Sequence, residues 1–478
     1  MDKLFAKGEG AFTHPRIAKK ARQLAYGNLA CLGRHTVSGM LTASGRQFMD
    51  WTSFYRLFSE ERVQVKLLNE VCIESTMEEL APNEMVVAHM DDTLLKKTGK
   101  KIPGTSWRRD PLGPPFHTNF IWGQRFIQLS LSIPDQQGPC QSRAIPIGLH
   151  HCPTPKKLVK TATEEQIQTY KEVKKQSRLS LQGSLKIKAL REQLDQQNHQ
   201  DRVLCMSVDG SYTNSTVLKN LSERTVLIGR IRKDAKFYRP ADQQQTGKGR
   251  KKVYGDRIPT PEQIRQSSDY KWQQVEAWAA GKKHLFDIKV VKNLKSRTAG
   301  QQHLLQLVVV RPLAYRPNNS SKLLYRQPAY LICTDNNMDA QTLLQNYIWR
   351  WEIEVNIRDE KTLMGCGQAQ VRNEHSAADV PAFVSAMYAF LLLAHIKAFK
   401  KNGDSKNYDL LLPRPKWYPA KKPQRFTTGD LVNRLRTELW AKAVGCGNFS
   451  SFVKQQHATR SRRNKTNDMT GALFYSRR

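Results

Sequence analysis

The chain has 478 residues, with 77 Lys plus Arg against 42 Asp plus Glu, a formal net charge of 77 − 42 = +35. A folded chain of this length has room for several domains, and this basicity, spread along the sequence, calls for a polyanionic partner such as nucleic acid; it argues against a short ribosomal protein or a membrane-surface protein. Eight cysteines, none in a CxxC, read as buried thiols of a reducing compartment, and the N-terminus MDKLFAKGEG shows no apolar signal core, so a cytoplasmic location is expected.

Residues 1–80 read as helices. Pro15 to Leu32 combines Arg16, Lys19, Lys20 and Arg22 with apolar Ile17, Ala21, Leu24 and Ala25. A turn at Thr42-Ala43-Ser44-Gly45 leads to a second segment, Asp50 to Glu60. Helix, Gly-bearing turn, helix is the outline of a DNA-reading helix-turn-helix, although any αα-hairpin has the same outline.

From Glu84 the period changes. Met85 to Met90 is an apolar run of strand length that ends in Asp91-Asp92-Thr93. Carboxylates at the end of a buried strand are costly unless they bind something, while Asp is also an ordinary turn residue. A basic hairpin follows, with Lys96, Lys97, Lys100, Lys101, Arg108 and Arg109 around Gly99 and Trp107. Phe126 to Ile133 and Ala144 to Leu149 are two further strands. His150-His151-Cys152 has no second ligand cluster at a spacing suited to zinc. Residues 153–200 are polar and helical, with Gly183 as a candidate break. Val203 to Val208 is a fourth strand, ending in Asp209-Gly210-Ser211.

The next stretch holds strand-like runs at Thr225 to Ile228, Leu285 to Val291 and Leu304 to Val310, and a basic loop from Gln243 to Arg257 with Lys248, Arg250, Lys251 and Lys252. Ala329 to Thr334 is expected to be the fifth strand, followed by turn chemistry at Asp335-Asn336-Asn337. The stretch YIWRWEIEVNIRDEK, Tyr347 to Lys361, then sets Tyr347, Arg350, Glu354 and Lys361 within a sector of roughly 60° on one helix. Arg350 and Glu354 alone would make a weak i,i+4 ion pair. Val380 to Ile396 is too short to span a membrane and reads as a buried helix. Beyond it the chain is Lys/Arg-rich, with Pro413, Pro415, Pro419 and Pro423 beside Trp417 and Tyr418, a helix from Thr428 to Ala443, and a basic tail at Arg460, Arg462, Arg463 and Lys465.

Tyr347, Arg350, Glu354 and Lys361 match the spacing of the YREK signature, and the chain resembles bacterial insertion-sequence transposases with a DDE triad. The resemblance covers residues 85–400. It implies a ribonuclease H-like α/β fold, a mixed five-stranded sheet with flanking helices and a β-rich insertion. The expected layout is a helical DNA-binding domain at 1–80, a catalytic domain at 81–213 and 326–402 split by an insertion at 214–325, and a basic region at 403–478. By position Asp92, Asp209 and Glu354 would be the triad, with Asp91 the alternative to Asp92, because strand alternation turns only one of the two to the site. They would hold two Mg²⁺, or Mn²⁺ in its place, and Tyr347, Arg350 and Lys361 would hold DNA phosphates. Trp272 or Trp278 would hold a flipped base. The implied reaction is cut-and-paste transposition: binding of terminal inverted repeats in double-stranded DNA, cleavage at the element ends, and attack of the freed 3′-hydroxyl on target DNA, by a homodimer at the nucleoid. Two rivals share these residues: a domesticated, non-catalytic DNA binder and a nuclease without strand transfer. Gly-Ser-Tyr-Thr-Asn after Asp209 departs from the Asp-Arg pairing of some relatives, so a hairpin intermediate is not implied.

Overall fold

In the computed structural model, residues 1–110, 113, 114, 117, 119–159, 161–241, 252–316, 321–401 and 425–443 are described. Lys248, Arg250, Lys251, Cys446, the Pro-rich stretch after residue 403 and the tail at 460–465 lie outside them.

Five helices open the chain: α1 (Asp2–Lys7), α2 (Pro15–Ala30), α3 (Val37–Ala43), α4 (Thr52–Ser59) and α5 (Val65–Met77). Their starts are chemically marked. His14 accepts from the Arg16 N–H, with Pro15 opening α2, and Thr36 Oγ1 accepts from the Gly39 N–H 3.1 Å away at α3. Gly27 is obligatory, since a Cβ there would fall 2.1 Å from the Met40 carbonyl oxygen where α2 crosses α3.

Among the described residues the centre is a ten-stranded mixed sheet. Its first half comprises β1 (Val86–Lys96), β2 (Ser106–Arg109), β3 (Phe120–Pro134), β4 (Ser142–His151), β5 (Leu204–Val208) and β6 (Thr225–Arg230). Antiparallel β4, β3 and β1 are followed by β5 parallel to β1 and β6 parallel to β5. That is the ribonuclease H-like arrangement. The strand in fifth place is thus Thr225–Arg230, not the expected Ala329–Thr334. Short hairpin strands β7 (Tyr238–Pro240) and β8 (Tyr254–Arg257) come next, then β9 (Gln273–Ala279), β10 (Lys282–Leu294) and β11 (Leu305–Val310). After a two-residue pair, β12 (Ala314–Tyr315) and β13 (Leu324–Tyr325), comes β14 (Ala329–Cys333). β14 runs antiparallel to β6, and β11, β10 and β9 continue outward from it. The strands after β6 therefore extend the sheet to ten, where five were expected.

Helices α6 (Glu164–Gln176) and α7 (Leu179–Gln196) join β4 to β5. The break falls at Ser177-Arg178, and Gly183 lies inside α7. The short α8 (Ser215–Leu218) and α9 (Pro261–Gln266) follow, then α10 (Ala340–Trp349), α11 (Trp351–Thr362), α12 (Glu374–Lys401) and α13 (Thr428–Ala443). The larger apolar cluster joins the N-terminal helices, the sheet and α12; a smaller one lies between α10 and β5, β6, β10, β11 and β14. α12 is long and apolar enough to cross a membrane, but it is mostly buried within the protein. The seven cysteines among the described residues are buried and are joined by no disulfide.

Outermost among the described strands of the sheet, β9 has β10 on one side only. On its open side the Gln345 carboxamide of α10 accepts from the Trp278 N–H at 2.8 Å and donates to the Trp278 carbonyl at 3.2 Å.

Candidate active site

Two adjacent parallel strands set the first pair of carboxylates. Met90 of β1 lies opposite Val208 of β5; Asp91 is the next residue of β1, and Asp209 is the first residue past the end of β5. Parallel neighbours lie about 4.8 Å apart. Side chains alternate along each strand. Val87 and Cys205 belong to the cluster under α10, and the Ser207 hydroxyl donates to the Asn346 carbonyl in α10 at 3.0 Å. Counting in twos places His89, Asp91 and Asp209 on this same face. Asp209 is fixed by a local turn: its Oδ1 accepts from the Ser211 N–H at 2.9 Å and the Ser211 hydroxyl at 2.7 Å.

The third carboxylate arrives through an arginine. Arg350 Nη1 lies 3.1 Å from Asp91 Oδ2, and its Nη2 lies 2.7 Å from Glu354 Oε1. One guanidinium thus spans two carboxylates that are 263 residues apart, from 354 − 91. The expected single helix is interrupted here. The Arg350 N–H bonds the Tyr347 carbonyl and the Ile353 N–H bonds the Arg350 carbonyl, both 3.1 Å, a three-residue spacing that tightens the turn between α10 and α11. Tyr347 still stands beside the guanidinium, with its ring centroid 5.9 Å from Arg350 Cζ.

The charges are poised against each other. Burial pushes the Asp91 carboxyl up to about 7, Arg350 pulls against that, and Asp209 adds to the rise. Burial opposes the Arg350 charge, yet Tyr347, Asp91 and Glu354 together hold its proton more tightly than usual. His89, fully buried beneath, is pushed down to about 3 by burial and by Arg350, so it is neutral at physiological pH. Its Nε2 shares a proton with Ser132 Oγ at 2.7 Å, and its Nδ1 has no partner. Lys361, two turns beyond Glu354, is lowered by burial, with Cys366 and Glu360 opposing and Lys96 adding to the fall.

Asp92, which the sequence reading preferred to Asp91, points the other way. Tyr212 donates to Asp92 Oδ1 at 3.3 Å, and Arg125 Nε lies 3.6 Å from Oδ2. Burial raises Asp92 too, with Arg125 opposing and Asp209 adding. The structure therefore brings Asp91, Asp209, Arg350 and Glu354 to one face, and leaves Asp92 on the opposite face because neighbouring strand residues alternate. Tyr212 reaches Asp92 across α7 only because residue 183 is glycine: a Cβ there would lie 2.8 Å from two carbons of the Tyr212 ring.

Several residues here escape sequence reading. Tyr212 and Arg125 carry no motif. Glu352, 3 % exposed, is held by Arg425 Nη2 at 2.9 and 2.7 Å, which ties the segment before α13 under the start of α11. Trp272 is covered by Lys289 Nζ at 4.4 Å and Arg311 Cζ at 5.7 Å from the ring centroid.

The donor set suits a hard divalent cation, because Asp91, Asp209 and Glu354 offer only carboxylate oxygens. Asp91 is raised chiefly because it is buried, and Asp209 beside it adds to the rise. Among the described residues no three His, Cys, Asp or Glu side chains already form an ion cage; Arg350 lies between two of the carboxylates instead. The family described as DDE superfamily endonuclease matches residues 9–284, a span that includes Asp91 and Asp209 and ends before Glu354. No curated protein matches the chain.

Proposed function

The chain belongs to the DDE superfamily endonucleases, nuclease-type enzymes of DNA that use divalent metals, and from that membership we propose that it is a cut-and-paste DNA transposase. It binds terminal inverted repeats, cleaves the element ends and joins the 3′-hydroxyls to target DNA. The observation that carries the reading is the convergence of Asp91, within β1, and Asp209, just past the end of the neighbouring β5, with Glu354 drawn toward Asp91 by Arg350.

In this reading Asp91, not Asp92, is the first ligand, with Asp209 and Glu354 completing the set. Two Mg²⁺ or Mn²⁺, when bound, supply activation of the attacking oxygen and stabilisation of the leaving one. Before loading, Arg350 neutralises Asp91 and Glu354 and keeps them near one another. On DNA its planar fork matches a phosphate bidentately, and Lys361 adds a point charge further along the strand. Tyr347 packs against the guanidinium and limits its swing. Asp92, Tyr212 and Arg125 brace the loop that carries Asp209 from the opposite face. A homodimer engaging both ends of the element is part of the proposal.

Purified protein incubated with a labelled terminal-repeat duplex, a target plasmid and Mg²⁺ tests it. Joined products support the transposase. Cuts without joining make it a nuclease of the same fold, and a mobility shift without cutting makes it a binder.

A further inference from the structure

The basic hairpin between β1 and β3 carries exposed aromatic residues that the carboxylate site does not use. β2 and the start of β3 form a two-stranded ribbon in which Trp107 faces Trp122 and Arg109 faces Phe120. Directly opposed residues share a face, so these four make one patch. Trp107 is 64 % exposed and Phe120 is 55 % exposed. The two tryptophan rings meet edge to face at 5.6 Å.

Register shows which face this is. Asp91 lies opposite Gln128, Thr93 opposite Phe126, and Leu95 opposite Gln124. Gln128 donates to Glu360 of α11 at 3.2 Å. Continuing in twos from Gln128 leads to Trp122 and Phe120, so the patch lies on the same side of the sheet as Asp91 and α11. Arg108 goes to the opposite side, where its charge is coupled to Asp92. Lys361 senses both Lys96, at the end of β1, and Asp110, next after β2. Glu354 to Lys361 is seven residues of helix, about 10 Å. A strip therefore leads from the carboxylates, past Lys361, to two open aromatic rings flanked by Arg109.

The ribbon is held firmly. Lys97 Nζ donates to the Gly367 and Ala369 carbonyls at 2.8 and 2.7 Å, and Trp122 Nε1 donates to the Gly99 carbonyl at 3.2 Å. Trp107 and Phe120 stay in water, and Lys100, Lys101 and Arg109 of the same hairpin are exposed too. Aromatic faces among cations suit a nucleic acid, whose bases stack while its phosphates pair with the charges. A duplex hides its base faces inside the stack, so the occupant must be a base that has left it.

We propose that Trp107 and Phe120 form a stacking platform for unpaired bases of the DNA strand leaving the carboxylate site. This rests on the reading of that site as a DNA-cleaving centre.

The test measures binding in EDTA, so cleavage does not enter. The probes are a fluorescein-labelled blunt duplex and the same duplex with a short unpaired thymidine tail. Wild type should prefer the tailed duplex. The double variant Trp107→Ala/Phe120→Ala should lose affinity for the tailed duplex by about tenfold or more and leave the blunt duplex within about twofold. Trp107→Phe should restore most of the preference, and an unchanged melting temperature should accompany the double variant because both rings are exposed. Equal loss on both probes, or no loss, overturns the platform. A changed sedimentation state with tail preference intact also overturns it, making the patch a contact between copies. Glu354→Gln should keep the tail preference. A wild type that prefers tails but never cuts DNA refutes the cleavage reading alone; one that cuts without tail preference refutes the platform alone.

Discussion

Replacing Asp91 by Asn should kill cleavage and yet make the metal-free protein more stable. Burial holds the folded Asp91 near 7 against an ordinary value of 3.8. Between those values the folded chain keeps a proton that the unfolded chain has released, so wild-type stability falls as pH rises through that window. The loss is complete above about 7. A shift of some three units at about 1.4 kcal/mol each sets an upper bound of about 4 kcal/mol. The Asn carboxamide is neutral, still accepts from Arg350, and removes this term. Asp91→Asn should therefore match wild type near pH 4 and exceed it above pH 7, by about 2–4 kcal/mol or several degrees in melting temperature. Thermal melts in EDTA across that range read the difference directly. Added Mg²⁺ should then raise wild type and leave the variant unmoved. If Asp91→Asn melts below wild type at pH 8, the carboxylate is a structural anchor and the argument from its burial is wrong.

Glu354→Gln should abolish cleavage while DNA binding persists; cleavage near the wild-type rate would remove Glu354 from the site. Arg425→Met strips a buried carboxylate, Glu352, of its fork and should cost about 3–5 kcal/mol in thermal or denaturant unfolding, whereas a surface pair would cost under about 1 kcal/mol. Gly183→Ala drives a methyl into the Tyr212 ring and should destabilise by about 1–3 kcal/mol. It should also depress cleavage more than DNA binding, because the displaced ring pulls on the loop bearing Asp209; an equal fall in both would refute that link.

The strands around the site were legible because both faces are covered, which leaves near-continuous apolar runs such as Met85 to Met90. The same covering erased the phase of the strand. With residues buried on both sides up to Met90, nothing in the pattern tells Asp91 from Asp92. A half-exposed strand would have alternated and decided it. The fifth strand was misplaced for a related reason. Thr225 to Ile228 and Ala329 to Thr334 are equally apolar, and pairing direction leaves no mark on composition. The Tyr347 to Lys361 spacing did lead to a real junction, though the break between two helices at Arg350 was hidden, since every residue there is compatible with a helix. The reach of Arg350 to Asp91 and of Tyr212 to Asp92 depends on tertiary proximity that one chain cannot disclose.

The carboxamide of Gln345 behaves toward Trp278 as a missing peptide unit would, offering one donor and one acceptor. An outermost strand with such groups vacant is a template for aggregation. Here the C-terminal end of that rim, at Trp278, is already spoken for by a side chain from α10, so another molecule docking edge-on there must first displace it. The sheet can thus grow to ten strands, with its last one beside solvent, without inviting the next copy of the chain to add an eleventh.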